Sequence, residues 1–319
     1  MKRWAVALVL TLILGVSASA NDWPSRAVRI VVPFGPGSTP DLVARMIAER
    51  LQQKLGQSFT VENRAGASGN LGTDAVAKAA PDGYTIGVSI AGPLAINPLL
   101  FSKMPYDPAK DLALVTMIAT QPSVLAVNAN IRAESVPALI DSLKQNPGKF
   151  IFGSIGNGSI SHLAMEAIAL KSGTEMVHVP YASSPQAVTA LIRGDVQLAC
   201  LPAISIAPQA STGKLKILAV STAQRSALLP GVPTLKESGI DVEADAWMGL
   251  IAPARTPEPI IARLQREIVD FLSVAETKER LARQLMEPLP TTSAQFAARV
   301  ASDIARWTPV IEAAKIKIE

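Results

Sequence analysis

The chain has a single cysteine, Cys200, and only two histidines, His162 and His178, which excludes a disulfide framework and the usual zinc and iron–sulfur sites. Aromatic residues make up 4% and charged residues 18% of the 319 positions, and no basic run carries interleaved aromatics, so nucleic acid has little to hold. Beyond the first twenty residues no apolar run reaches bilayer-spanning length, because Arg, Asp, Gly or Pro interrupts each one. No Walker A sequence occurs, and Gly66-Ala67-Ser68-Gly69-Asn70-Leu71-Gly72 has the wrong glycine spacing for a dinucleotide fingerprint; no cofactor and no metal are expected. What the chain does have is 49% hydrophobic residues, enough to fill one or two cores and to exclude disorder.

Lys2 and Arg3 precede an apolar stretch from Trp4 to Val16, and Ala18-Ser19-Ala20 supplies the small residues of a cleavage site. The pattern predicts a signal peptide over residues 1–20, removed on export. A membrane anchor is the competing reading, but the stretch falls short of the roughly 20 residues a span needs. No cysteine follows the cleavage site to be acylated, which points to a free periplasmic protein.

From Ala27 onward short β-branched runs alternate with helical patterns, the signature of βαβ units in an α/β fold. Strands are expected at Ala27 to Val32, Phe59 to Glu62, Tyr84 to Val88, Ser123 to Asn128, Phe150 to Gly153, Met176 to Val179, Val196 to Cys200, Ile217 to Val220 and Trp247 to Ala252. Helices are expected at Asp41 to Leu55, Val136 to Gln145 and from Ser161. Beyond Pro253 the chain reads as helical, at Ile260 to Phe271, Thr277 to Leu285 and Ala294 to Ile311. About 280 structured residues exceed one ordinary domain, so two lobes are expected. A terminal helical block needs a sheet to cover, which places 21–123 and 248–319 in the first lobe and 124–247 in the second. Ser123 to Asn128 and Trp247 to Ala252 then become two hinge crossings. Two lobes in simple series remain the alternative.

Two glycine-rich strand-to-helix loops could hold an anion. Phe34-Gly35-Pro36-Gly37-Ser38-Thr39-Pro40-Asp41 leads into the first helix, with Thr39 as expected N-cap and Pro40 suited to the first turn. Ser154-Ile155-Gly156-Asn157-Gly158-Ser159-Ile160-Ser161-His162 repeats the design, with Ser159 as cap. Ligands of open α/β sheets sit beyond the carboxyl ends of the strands, where both loops lie, and backbone amides with hydroxyls suit a carboxylate. Ser89, Ala91 and Gly92, and then Tyr181, Ser183 and Ser184, add groups at two further strand ends. Gly87-Val88-Ser89-Ile90-Ala91 also resembles a degenerate nucleophile elbow, with His162 or His178 as base for a hydrolase. Against it stand Ala91 where the motif wants glycine and the absence of an identified acid partner.

Over essentially the whole mature chain the residues resemble the periplasmic solute receptors of tripartite tricarboxylate transporters, the Bug-type receptors. The matches include Trp23-Pro24-Ser25, Val61-Glu62-Asn63-Arg64-Ala65-Gly66-Ala67, Ala79-Ala80-Pro81-Asp82-Gly83-Tyr84, Ala95-Ile96-Asn97-Pro98 and Met104-Pro105-Tyr106-Asp107-Pro108. Gly156-Asn157-Gly158, Ser161-His162-Leu163, His178-Val179-Pro180-Tyr181 and Leu229-Pro230-Gly231-Val232-Pro233-Thr234 continue the series. The resemblance implies a two-lobed periplasmic-binding-protein fold of the Venus-flytrap type, each lobe a sheet flanked by helices. It also implies a non-enzymatic receptor that delivers a small organic acid to a membrane permease with a large and a small subunit, or presents it to a sensor kinase; a monomer is the simpler expectation for the chain. The expected ligand is a di- or tricarboxylate or an aromatic acid. Leu201 stands where many members carry an Asp for a ligand ammonium group, which disfavours amino acids and places an apolar ligand group near Leu201. The first-loop, second-loop and flanking residues named above, together with Leu201, form the expected site.

Overall fold

The computed structural model describes residues 23–318, and the expected signal peptide lies outside them. Its first part runs β1 (Val28–Val32), α1 (Thr39–Leu55), β2 (Phe59–Asn63), α2 (Asn70–Ala77), β3 (Thr85–Ile90), α3 (Asn97–Leu100), α4 (Pro108–Asp111) and β4 (Leu112–Gln121). The middle runs β5 (Ser123–Asn128), α5 (Val136–Gln145), β6 (Ile151–Ser154), α6 (Ile160–Ser172), β7 (Val177–Pro180), α7 (Ser184–Arg193), β8 (Leu198–Pro202), α8 (Ala203–Ser211) and β9 (Leu215–Val220). After a long connection come β10 (Ala246–Pro253), α9 (Glu258–Ser273), α10 (Ala275–Ala282), β11 (Glu287–Pro288) and α11 (Ser293–Ala313).

These strands form two sheets, ordered β11-β4-β10-β3-β1-β2 and β7-β6-β8-β5-β9. Within each, three neighbours joined through helices are parallel (β2, β1 and β3; β7, β6 and β8), and their carboxyl ends share one edge. The remaining pairings of β10, β11 and β5 are antiparallel. Local chemistry explains the element ends: Ser135 caps α5, Gly173 ends α6 in the left-handed region, and Thr292 with Gln295 forms a capping box on α11. The C-terminal helices return to the first sheet, where Phe296 of α11 lies against Gly249 of β10 and edge-on to Trp247.

The chain passes between the lobes at Pro122, the one residue between β4 and β5, and again between β9 and β10. The two strands expected to make the crossings therefore lie within one sheet each, and each crossing precedes its strand. The passages are laced together at Ser221: its N–H and hydroxyl meet the Ser123 carbonyl at 2.9 and 3.0 Å, and its carbonyl accepts the Ala244 N–H at 2.8 Å. Beside them lies an ionic cluster. Arg299 of α11 meets Glu243, Asp245 and Asp303, Arg306 meets Glu243 and Asp303, and the Trp247 indole donates to Asp303 at 2.6 Å.

Candidate ligand site

The first loop follows β1, but the helix cap falls one residue earlier than expected: Ser38 is the N-cap, without a side-chain bond, and Thr39 is already helical. The cap on Thr39 is thereby corrected. The turn is closed instead by Asp41, which is 1% exposed and accepts from the Gly37 N–H at 2.8 Å, from Asn63 at 2.9 Å and from Arg45 at 3.0 Å. Burial alone raises the Asp41 pKa, yet the bonds from Arg45, Gly37 and Asn63 outweigh it and hold the carboxyl below its ordinary value. Asn63 also donates to the Phe34 carbonyl at 2.9 Å, tying the loop to the end of β2. Asp41 thus shapes the loop. The amides of Gly35, Thr39 and Asp41 have no acceptor among the described residues.

The second loop, after β6, is more self-contained. The Ser159 hydroxyl donates to the Gly156 carbonyl at 2.7 Å and accepts the His162 N–H at 3.3 Å, so the cap forms as expected. The Ser159 proton being committed, Ser161 is the donor in the 2.9 Å contact between the two hydroxyls, and Ser161 also accepts the Ile155 N–H at 3.0 Å. Ser154 accepts the Gly156 N–H at 3.1 Å and meets His178 Nε2 at 2.7 Å. No hydroxyl proton of Ser159 or Ser161 is left over among these bonds, and the two serines build the loop. Its spare donors are the amides of Asn157, Ile160 and Ser161, which have no acceptor among the described residues. Gly158, with φ of +71°, packs against Leu100 and Ile318, so this loop touches the first lobe; a Cβ here would stand 2.4 Å from Leu100.

The flanking groups divide. Gly92 is half-buried in a single π-helical turn after β3, and Ala91 is buried. Tyr181, Ser183 and Ser184 stand half-buried after β7, where Ser183 is the N-cap of α7. Ser89 is 1% exposed and bonds to Thr73 at 3.2 Å, while both histidines belong to the second lobe, so the elbow has no serine–histidine pair. Leu201 is fully buried in the second lobe's core with Val124, Ile206 and Val220, because β8 is covered by α8 and paired with β5. The sequence reading missed the turn after β2, at the same edge as the first loop. Gly66, Ala67, Ser68 and Gly69 all have positive φ there, and Gly69 packs on Phe34 and Pro93. Its signal in the sequence is the glycine run 66–72, whose spacing fits a tight turn and no dinucleotide fingerprint. A cavity of about 570 Å³ lies elsewhere in the first lobe, lined by residues such as Leu94, Leu112, Ile261 and Val300, and shares no residue with the loops.

Two α/β lobes joined by two crossings, with glycine-rich loops at the carboxyl edges of their parallel strands, define the class of periplasmic solute-binding proteins. Residues 43–316 match the model of the tripartite tricarboxylate transporter family receptor, and the chain belongs to that family. It is 36% identical over 309 residues to the protein BugT of Bordetella pertussis, covering 96% of this chain and 95% of that one. Among solved structures it resembles R. palustris Rpa4515 with adipate, at 36% identity and a TM-score of 0.80 over 92% of this chain and 99% of that one. MatC from Rhodopseudomonas palustris with bound malate is 30% identical, with a TM-score of 0.75 over 91% of this chain and 100% of that one.

Proposed function

We propose that this protein is an exported receptor that closes its two lobes on a small di- or tricarboxylate or aromatic acid and delivers it to a membrane permease with a large and a small subunit. The observation that carries the reading is the pair of helix N-termini, α1 and α6, whose loops keep amides without an acceptor, among the described residues, at the carboxyl ends of β1 and β6. Arg45, the cation on the first turns of α1, is committed to Asp41. A carboxylate is the small anion these donors suit, and the adipate and malate held by two related structures agree with it. The first lobe is taken as 21–121 with 246–319 and the second as 123–220, the chain crossing at Pro122 and again between β9 and β10, with residues 1–20 removed on export. Amides from both loops are satisfied together only when the lobes shut, so ligand selects the closed state through its differential affinity.

The test is the melting temperature of the mature chain, from Asn21, against dicarboxylates, tricarboxylates, aromatic acids, acidic amino acids and esters. Ligand at 100 times its Kd stabilises by about 2.7 kcal/mol, an expected rise of several degrees. A selective shift with an acid recovered unchanged supports the receptor. A shift confined to amino acids, or turnover of an ester, rejects it.

A further inference from the structure

The second loop leans on two stacked imidazoles. His162 and His178 lie face to face with ring centroids 3.8 Å apart and planes 11° from parallel, and Phe152 lies beside the pair, its ring centroid 4.8 Å from His178 and 6.1 Å from His162. His162 is 5% exposed, and its hydrogen bonds define its tautomer. The Gly158 backbone N–H donates to Nδ1 at 3.1 Å, and a backbone N–H can only donate, so Nδ1 carries no proton. The proton therefore sits on Nε2, 3.3 Å from Glu166 Oε1. A second proton has one place to go, Nδ1, and it can bind there only by displacing the Gly158 N–H.

We propose that His162 is a positioning residue for the second loop, and that acid weakens ligand binding by placing a proton on Nδ1 and releasing the turn from Gly156 to Gly158. The inference rests on the carboxylate-receptor reading above. Release costs the site twice. It frees the Asn157 amide from its fixed direction, and it loosens the packing of Gly158 on Leu100 and Ile318, the contact that joins this loop to the first lobe.

The surroundings leave Glu166 as the one charge in contact with the pair. His178, on β7, is pushed down to about 4, by burial first and by the neighbouring His162 second, with Glu166 opposing, so the stack does not spread a proton onto it near neutrality. Of the elements packed on α6, β6 brings no ionisable side chain and β8 brings Cys200, whose thiol burial pushes up to about 12. On α11, Arg299, Asp303 and Arg306 are engaged with one another and with residues 243–247, and Glu312 is exposed, as is Lys315 just beyond the helix.

Two measurements on the mature full chain test this. Nitrogen-15 spectra of the rings and hydrogen exchange of the Gly158 amide, followed from pH 7.5 to 5.0 without ligand, should show an unprotonated Nδ1 at pH 7.5. Gly158 protection, corrected for intrinsic exchange, should then fall at least tenfold as the ring gains its second proton, with neighbouring helices still protected. Calorimetric titration with adipate at both pH values, in wild type and His162→Asn, reads the consequence. The Asn carboxamide oxygen can accept from Gly158 and cannot be protonated, so the variant's change in affinity carries only the titration of adipate itself. Wild type should lose at least tenfold more affinity than the variant between pH 7.5 and 5.0. A protonated Nδ1 at pH 7.5, Gly158 protection independent of pH, or equal losses in the two proteins would overturn the proposal. Absence of adipate binding at both pH values counts against the carboxylate reading alone, and a variant that fails to fold removes only its own arm; the ring and amide measurements then decide.

Discussion

At the scale of single residues, the ligand loops depend on side chains that never need to touch the ligand. Asp41 gathers Gly37, Asn63 and Arg45 around one buried carboxylate, and charge-assisted bonds of this kind are the strong ones. Asp41→Ala leaves the Gly37 N–H and the Asn63 amide without their acceptor, at a cost of about 1–3 kcal/mol. The expected result is a melting point lower by several degrees and an acid affinity at least tenfold weaker, read by calorimetry on the same sample. Asp41→Asn keeps an acceptor for Gly37 and loses the charge toward Arg45, so its effects should be smaller on both scales. Equal effects of the two variants would show that the charge, and not the shape of the turn, is what the loop requires.

At the scale of elements, most of the alternating pattern was readable, because β-branched runs bounded by glycine and proline mark strands and capped amphipathic segments mark helices. Val136–Gln145 matches its helix end to end, and Ser159 announced its cap. Leu112–Gln121 escaped notice for a physical reason: Leu, Ala and Met dominate LALVTMIATQ, and a strand paired on both sides and buried on both faces shows no period of two. The crossings were misplaced by a few residues for the same reason, since β4 is the strand that ends at Pro122. The loops were legible as glycine-rich strand-to-helix turns; the inward bonds of Ser159 and Ser161 are made within six residues and follow from how the turn folds, whereas the burial of Leu201 depends on neighbours far along the chain. Packing between elements offers its own test at Gly249, where an added Cβ would stand 2.2 Å from the Phe296 ring. Gly249→Ala forces α11 away from β10 and should destabilise by about 1–3 kcal/mol, a fall of several degrees in melting temperature. Gly35→Ala, with open space around the new methyl, should leave the melting point unchanged.

For the whole molecule, the question is what holds the two lobes at a defined angle. Pro122 is too short a link to allow sliding, and Ser221 ties it to the second passage, so the lobes have freedom to rotate about that line and little else. The ionic cluster sits at this line. Thr120, two residues before Pro122, donates its hydroxyl to Asp245, and Asp245 binds Arg299 of the same α11 that packs on α6 of the second lobe. Burial raises the Asp303 pKa more than Arg299, Trp247 and Arg306 lower it, so this carboxylate depends on those partners to stay charged. Arg299→Leu leaves Asp245 without its guanidinium and Asp303 with Arg306 and the Trp247 indole alone, and breaking a buried pair in this way costs about 3–5 kcal/mol. If the cluster only stabilises the fold, the variant melts lower and its radius of gyration, measured by small-angle scattering, is unchanged with and without ligand. If it sets the angle, the free variant scatters as a larger particle while the ligand-saturated variant returns to the wild-type closed radius, because ligand contacts across the loops then supply the constraint the hinge has lost. The second outcome is expected, since Arg299 reaches from an element that touches both lobes to the residue where the chain re-enters the first sheet.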